Sequence, residues 1–169
     1  MIKLSEYFTA DLHNNHKNVI KYCNRPFFDL AGMRRELVKR WNSVVKNNDR
    51  VWVLGDIWDP DILADLQGSI VVVLGNHDSY NKLHTFYPDL ELYRHPIILN
   101  NNLILSHVPL EQVRGTEFLN IHGHLHQYRY EEGTWYEGNR WFNCGVDLNN
   151  FTPVSLDAIR QQMQVWGKF

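Results

Sequence analysis

The chain lacks several features that would settle its class at once. It has two cysteines, Cys23 and Cys144, far apart in its 169 residues, so two reduced thiols in a cytoplasmic protein are expected rather than a disulfide framework. No run of about 18 apolar residues occurs, which argues against a membrane span. The N-terminal MIKLSEYFTADLH breaks its apolar residues with Lys3, Glu6 and Asp11, unlike the continuous apolar core of a secretion signal. Basic charge is not in excess either: 17 Lys and Arg face 19 Asp and Glu, a formal charge of −2. That balance disfavours long nucleic acid as a partner and suits a small substrate. Repeats, low-complexity tracts and Pro/Gly-rich linkers are also missing, and a single domain over residues 1–169 is expected.

What is present alternates between two periodicities. VWVL (51–54) and SIVVVL (69–74) are short β-branched runs, each followed by glycine, the pattern of strands buried on both faces. Between the apolar YFTA (7–10) and VWVL, Met33, Leu37, Trp41, Val44 and Val45 recur at three- and four-residue spacing among charged residues, which predicts an amphipathic crossover helix. Asp59-Pro60 followed by DILADL predicts a second, short crossover helix. From residue 90 the strand candidates come closer together, as ELYR, PIIL, NLILSH, EFLNIH and RWFNCG. Ser155 is placed to cap a last helix starting near Leu156, with Asp157 in its first turn. The expected class is α/β, two mixed sheets with helices outside.

The polar residues fall at strand ends. Asp11 and His13 follow YFTA two residues apart, so in an extended chain they project to one side and can close on one ion. Asp56 follows VWVLG, and Asn76, His77 and Asp78 follow IVVVLG. His107 ends NLILSH, and in IHGHLH the pair His124 and His126 repeats the spacing of Asp11 and His13. In open α/β sheets the carboxyl ends of strands are where sites form.

Together D-x-H, G-D, G-N-H-D, S-H and G-H-x-H resemble, in this order, the motifs of the calcineurin-like metallophosphoesterase superfamily, and NHKNVIKYCNRPF, RWNSVVKNNDRVWVLGD and CGVDLNNFTPVSLDAI resemble its small, uncapped bacterial and phage members. The resemblance implies a four-layer αββα sandwich and two divalent metal ions. Asp11, His13, Asp56 and His126 would hold one ion. Asp56, Asn76, His107 and His124 would hold the other, with Asp56 as the bridge. Nitrogen and oxygen ligands without thiolate suit Mn²⁺, Fe or Zn²⁺, with manganese the first choice. The implied reaction is hydrolysis of a phosphomonoester or phosphodiester of a small, nucleotide-like substrate by a hydroxide between the ions. His77 would assist the leaving oxygen and Asp78 would orient its ring. A nuclease acting on DNA or RNA, and a non-catalytic binding scaffold on the same fold, are the alternatives.

Other residues carry two readings each. His122, the histidine of IHGHLH that no motif claims, either supports the metal ligands or packs beneath them. His16 either reaches a substrate phosphate or caps the next helix. Arg25, Asn14 and Asn15 either face a phosphate or are ordinary loop residues. Asp59 either orients a ligand or starts a turn, the turn being preferred. Trp58 and Tyr80 stand where a nucleobase could stack. His84 and His95 match no motif and are expected to be structural.

Overall fold

The computed structural model describes residues 5–99, 102–128 and 140–165; both ends of the expected 1–169 domain lie outside these. Two mixed sheets face each other. In the first, β1 (Glu6–Thr9), β2 (Arg50–Val53), β3 (Ser69–Val73) and β4 (Glu91–Tyr93) run parallel in the order β4-β3-β2-β1, and the two-residue β9 (Val154–Ser155) adds an antiparallel edge beside β1. In the second, β6 (Leu103–Leu105), β7 (Leu119–His122) and β8 (Trp141–Asn143) run parallel, with β5 (Ile97–Leu99) antiparallel at the β6 edge.

Strand alternation divides the apolar residues between two cores. Val51, Val53 and Val72 face outward and pack under the helices with Met33, Leu37, Trp41 and Val45. Phe8, Ala10, Trp52, Leu54, Val71 and Val73 face inward and meet Leu103, Leu105, Leu119, Ile121 and Phe142 of the second sheet. The covering helices are α1 (Lys17–Tyr22) and α2 (Leu30–Val44). Along α2, Met33, Leu37 and Trp41 are buried at four-residue spacing, and the Asp29 carboxylate caps the N-terminus by accepting from Gly32 N at 2.6 Å. In place of the α-helix expected there, Pro60–Asp65 (PDILAD) forms a six-residue 3₁₀ turn.

Ser155 caps α4 (Leu156–Val165) by accepting from Ala158 N, and Ile159 and Met163 of this helix close one end of the inter-sheet core. The short α3 (Tyr80–Phe86), capped by Ser79, is not predicted by the sequence periodicity. On the outer face of the second sheet, where Asn120 alternates with the inward Leu119 and Ile121, a loop with a 3₁₀ turn (Glu111–Val113) lies across the strands. Leu110 N donates to Asn120 Oδ1, and Trp141 Nε1 donates to Leu110 O.

Candidate metal centre

Because β1, β2 and β3 are parallel neighbours, their carboxyl ends deliver Asp11 and His13, Asp56, and Asn76 and His77 to one edge of the first sheet; the parallel β6 and β7 deliver His107, His124 and His126 from the second. The loops then zip together. Asp11 N donates to Gly55 O, His13 N to Asp56 O and Asn14 N to Ile57 O, at 2.9–3.0 Å. The Asp11 carboxylate accepts from His124 N at 3.0 and 3.1 Å, tying the first motif to the last across 113 residues.

The donor atoms converge. Asp56 Oδ2 lies 3.4 Å from His13 Nε2 and 3.4 Å from His107 Nε2, while its Oδ1 accepts from His77 N at 3.0 Å. One carboxylate oxygen therefore stands between a nitrogen of each expected ligand set. His107 Nε2 and His124 Nδ1 are 3.2 Å apart, and Asn76 Oδ1 is 2.9 Å from the former and 3.1 Å from the latter. Ligand atoms of Asp11, His13 and His126 lie within 4.8 Å of one another, as do those of Asp11, Asp56 and His107. Asp11 thus reaches toward both halves of the cluster. Neither ring nitrogen of the buried His13 has a hydrogen-bond partner, an expensive arrangement for a structural histidine. Nitrogen and oxygen ligand atoms gathered this closely form a set that could hold divalent cations.

Two tautomers are fixed by acceptors. The Leu54 carbonyl accepts from His107 Nδ1 at 2.8 Å, so the proton is on Nδ1 and the Nε2 lone pair points to Asp56 and Asn76. The Asp147 carboxylate accepts from His126 Nδ1 at 2.9 Å and leaves its Nε2 for the cluster. Charge is correspondingly perturbed. Burial pushes the Asp11 carboxyl up to about 6. Burial also works against ionised Asp56, but the His107 and His13 imidazoles, each 3.4 Å from Oδ2, outweigh it and hold the carboxyl well below the usual carboxylate range. For His126, burial favours the neutral ring, yet hydrogen bonds with Asp147 and Cys23 raise it to about 10.

Backbone strain gathers here too. Asp11, His13, Asp56, His124 and His126 all have φ between 46° and 70°, a region L-residues seldom occupy. Close approach is equally demanding. A Cβ on Gly75 would run into the Asp56 carboxylate, and one on Gly123 would sit 2.8 Å from Asp11 Oδ2.

Other expected residues are placed differently from their motif roles. The Asp78 carboxylate accepts from the backbone N–H groups of Asp56, Ile57, Trp58 and Gly75, at 2.8–3.4 Å. It clamps the β2 loop to the β3 loop instead of holding the His77 ring. Arg25 is buried; its guanidinium donates to both oxygens of Asp147, at 2.7 and 2.9 Å, and to the carbonyls of Leu12 and Asp11. No phosphate contact is left for it. Asn14 is buried with its amide on Asp59 O and Asp61 Oδ1, and Asn15 donates to Asp59 Oδ2. Asp59 also faces Lys82 at 3.4 Å and precedes the 3₁₀ turn, the preferred turn position.

Around the cluster, His77 is exposed, its ring 5.6 Å from that of His13 and 5.3 Å from that of Trp58. His16 caps α1 by position without a side-chain bond, and its ring stacks on Trp58 at 4.0 Å and 9°. Tyr80 lies under the Arg94 guanidinium, 4.0 Å away, and stacks on His84. His122 is wholly buried; Gly123 O accepts from its Nδ1 at 2.8 Å, its Nε2 is unpartnered, and burial lowers it to about 4. It packs on the outer face of β7, opposite the inward Ile121.

Asp147 is the residue the motif pattern does not flag. Its side chain, 3% exposed, joins Arg25 to His126. Cys23 completes a group with His126 and Asp147 whose ligand atoms lie within 4.8 Å of one another. The only sequence signal was CGVD itself, within a stretch that resembles the small phage-type proteins.

Residues 7–159 match the model of the calcineurin-like phosphoesterase family. The chain belongs to that family. Among relatives of this phosphoesterase, an uncharacterized protein of Methanocaldococcus jannaschii is 34% identical over 162 residues, covering 90% of this chain and 88% of its own. The Gene 66 protein of Mycobacterium phage D29 is 27% identical over 93% of this chain and 94% of its own. A solved structure of a protein of unknown function from Aquifex aeolicus superposes with a TM-score of 0.72 at 24% identity, over 95% of this chain and all of that one, and shares the fold. No helix among the described residues of the phosphoesterase is long and apolar enough to cross a membrane.

Proposed function

We propose that this phosphoesterase is a dinuclear metal-dependent hydrolase of a phosphomonoester or phosphodiester of a small, nucleotide-like substrate. Asp11, His13, Asp56 and His126 hold one ion, and Asp56, Asn76, His107 and His124 hold the other, with manganese the first choice and iron or zinc the alternatives. The observation that carries this reading is Asp56 Oδ2 standing 3.4 Å from a histidine nitrogen of each set. A carboxylate suits that position because it offers two oxygens and a negative charge between cations. When bound, the ions supply the Lewis acidity that makes water nucleophilic near neutral pH and offsets charge on the phosphate oxygens.

The chain does the rest. Asp78 fixes the Asp56 and His77 loops through four backbone N–H groups. The exposed His77 ring stands at the cluster's edge, free to donate a proton to a departing alkoxide. The test is turnover of p-nitrophenyl phosphate and bis-p-nitrophenyl phosphate after chelation and re-addition of Mn²⁺, Fe²⁺ or Zn²⁺, with metal content measured in parallel. Activity restored by one of these ions is expected, and Asp56→Asn should lose both ions together. Two tightly bound ions in Asp56→Asn would refute the bridge, and no turnover with any ion would refute the hydrolase.

A further inference from the structure

A groove of about 570 Å³ opens directly from the histidine cluster, with His13, His77, His124 and His126 along its base. On one wall α1 and its C-cap supply Val19, Tyr22 and Cys23; on the other the turn after β7 supplies Leu125, Gln127 and Tyr128. We propose that this groove seats the leaving group of the substrate, and that this group is uncharged and carries a flat aromatic ring of nucleobase type. The proposal rests on the phosphoesterase reading above and specifies the substrate class for it.

Three observations carry it. First, Tyr22 and Tyr128 are 69% and 62% exposed, and two tyrosines from segments more than a hundred residues apart line the same groove. Scattered exposed apolar residues need no explanation, but two aromatic rings converging with Val19 and Leu125 on one concavity form a stacking platform. Second, among the described residues, Trp58 and Tyr80 near the cluster are already engaged. Trp58 stacks on His16, and Tyr80 stacks on His84 beneath Arg94. Third, the described residues lining the groove include no Lys, Arg, Asp or Glu. On these two walls, among the described residues, a second phosphate or a sugar acid would find no Lys or Arg to pair with, whereas the Gln127 amide offers one donor and one acceptor face to a base edge. His77 shares the groove, so the group seated in it is the one whose oxygen departs beside that ring.

The volume lies within the range of small-molecule sites and accommodates a nucleoside. The experiment uses Mn²⁺-loaded protein and two probes with P–C bonds that do not hydrolyse: methylphosphonate, and the 5′-methylenephosphonate analogue of thymidine monophosphate. Calorimetric titration should show the nucleoside analogue binding at least about 10-fold tighter, the gain expected from one stacked base. In Tyr22→Ala/Tyr128→Ala the preference should fall to within about 2-fold while methylphosphonate binds as before. Equal binding of the two probes by the unmodified protein, or an undiminished preference in the double variant, would overturn the proposal. So would tighter binding of the matching diphosphate analogue, because it adds charge to the seated group. The hydrolase reading is judged separately, by turnover of p-nitrophenyl phosphate, which can persist when the groove proposal fails.

Discussion

Asp147→Ala isolates the support of the metal cluster from its donor atoms, since Asp147 is outside the expected ligand sets. Its carboxylate, 3% exposed, accepts two bonds from Arg25 at 2.7 and 2.9 Å and one from His126 Nδ1 at 2.9 Å. Breaking a buried ion pair by removing one partner typically costs about 3–5 kcal/mol, because the other charge is stranded. Arg25 retains the Leu12 and Asp11 carbonyls as acceptors, so the lower end, about 3 kcal/mol, applies. For a chain of this length that is a fall in Tm of roughly 6–12 °C. A second effect is independent of stability. Without its carboxylate partner the His126 ring is free to rotate or change tautomer, and affinity at the ion it would hold should drop by about 10–100-fold. Thermal unfolding reads the first effect, and metal titration well below the new Tm reads the second. Asp147→Asn keeps an acceptor oxygen and should recover part of both. The reasoning fails if Asp147→Ala unfolds within about 1 °C of the parent and binds both ions with unchanged affinity.

His77→Ala should retain both ions while cutting turnover of an alkyl phosphate ester, whose alkoxide needs a proton to depart, by about 10²–10⁴-fold; alkyl-ester turnover within 2-fold of the parent would remove it as the proton donor. Gly75→Ala should abolish metal loading, because its Cβ would collide with the Asp56 carboxylate, and elemental analysis showing two ions in a folded variant would contradict this. Removal of both ions should lower Tm at pH 7.5 by roughly 10–20 °C when each free ion is at about a hundred times its Kd, and the gap should shrink toward pH 5. The sign follows from Asp11: a carboxyl raised to about 6 in the folded protein contributes stability below its unfolded value and loses it as pH rises through 6. Metal-free protein therefore suffers most above that pH. Differential scanning calorimetry with and without chelator across this window checks it, and a gap that widens on acidification would be the wrong sign.

The two sheets and the position of the cluster were legible because they follow from short-range pattern. VWVL and SIVVVL announce buried strands, and the polar residue after each glycine marks the strand end where loops meet. The less legible parts depend on partners distant in sequence. From the sequence Asp78 is expected to orient the His77 ring and Arg25 to face a phosphate or sit in a loop, yet each is consumed by backbone groups or a carboxylate that only the fold supplies. Asp147 is invisible for the same reason, since its two partners lie 122 and 21 residues away. The missed helix α3 is only seven residues long and buries one of them, Leu83, too little to leave a periodic signature.

Left-handed backbone at five candidate ligands costs on the order of 1–3 kcal/mol per residue, so the strained loops persist only because something over-determines them. The bonds that do so are identifiable. Asp78 holds four N–H groups of two loops, the Asp11 carboxylate holds the His124 backbone, and Arg25 holds the carbonyls of Asp11 and Leu12 while bracing Asp147 against His126. Each support joins segments far apart in sequence, so the folded core itself holds the candidate donor residues in place. Asp147, Arg25 and Asp78 therefore belong with the candidate donors when affinity is explained, because they keep His126, Asp11 and Asp56 where their ligand atoms converge.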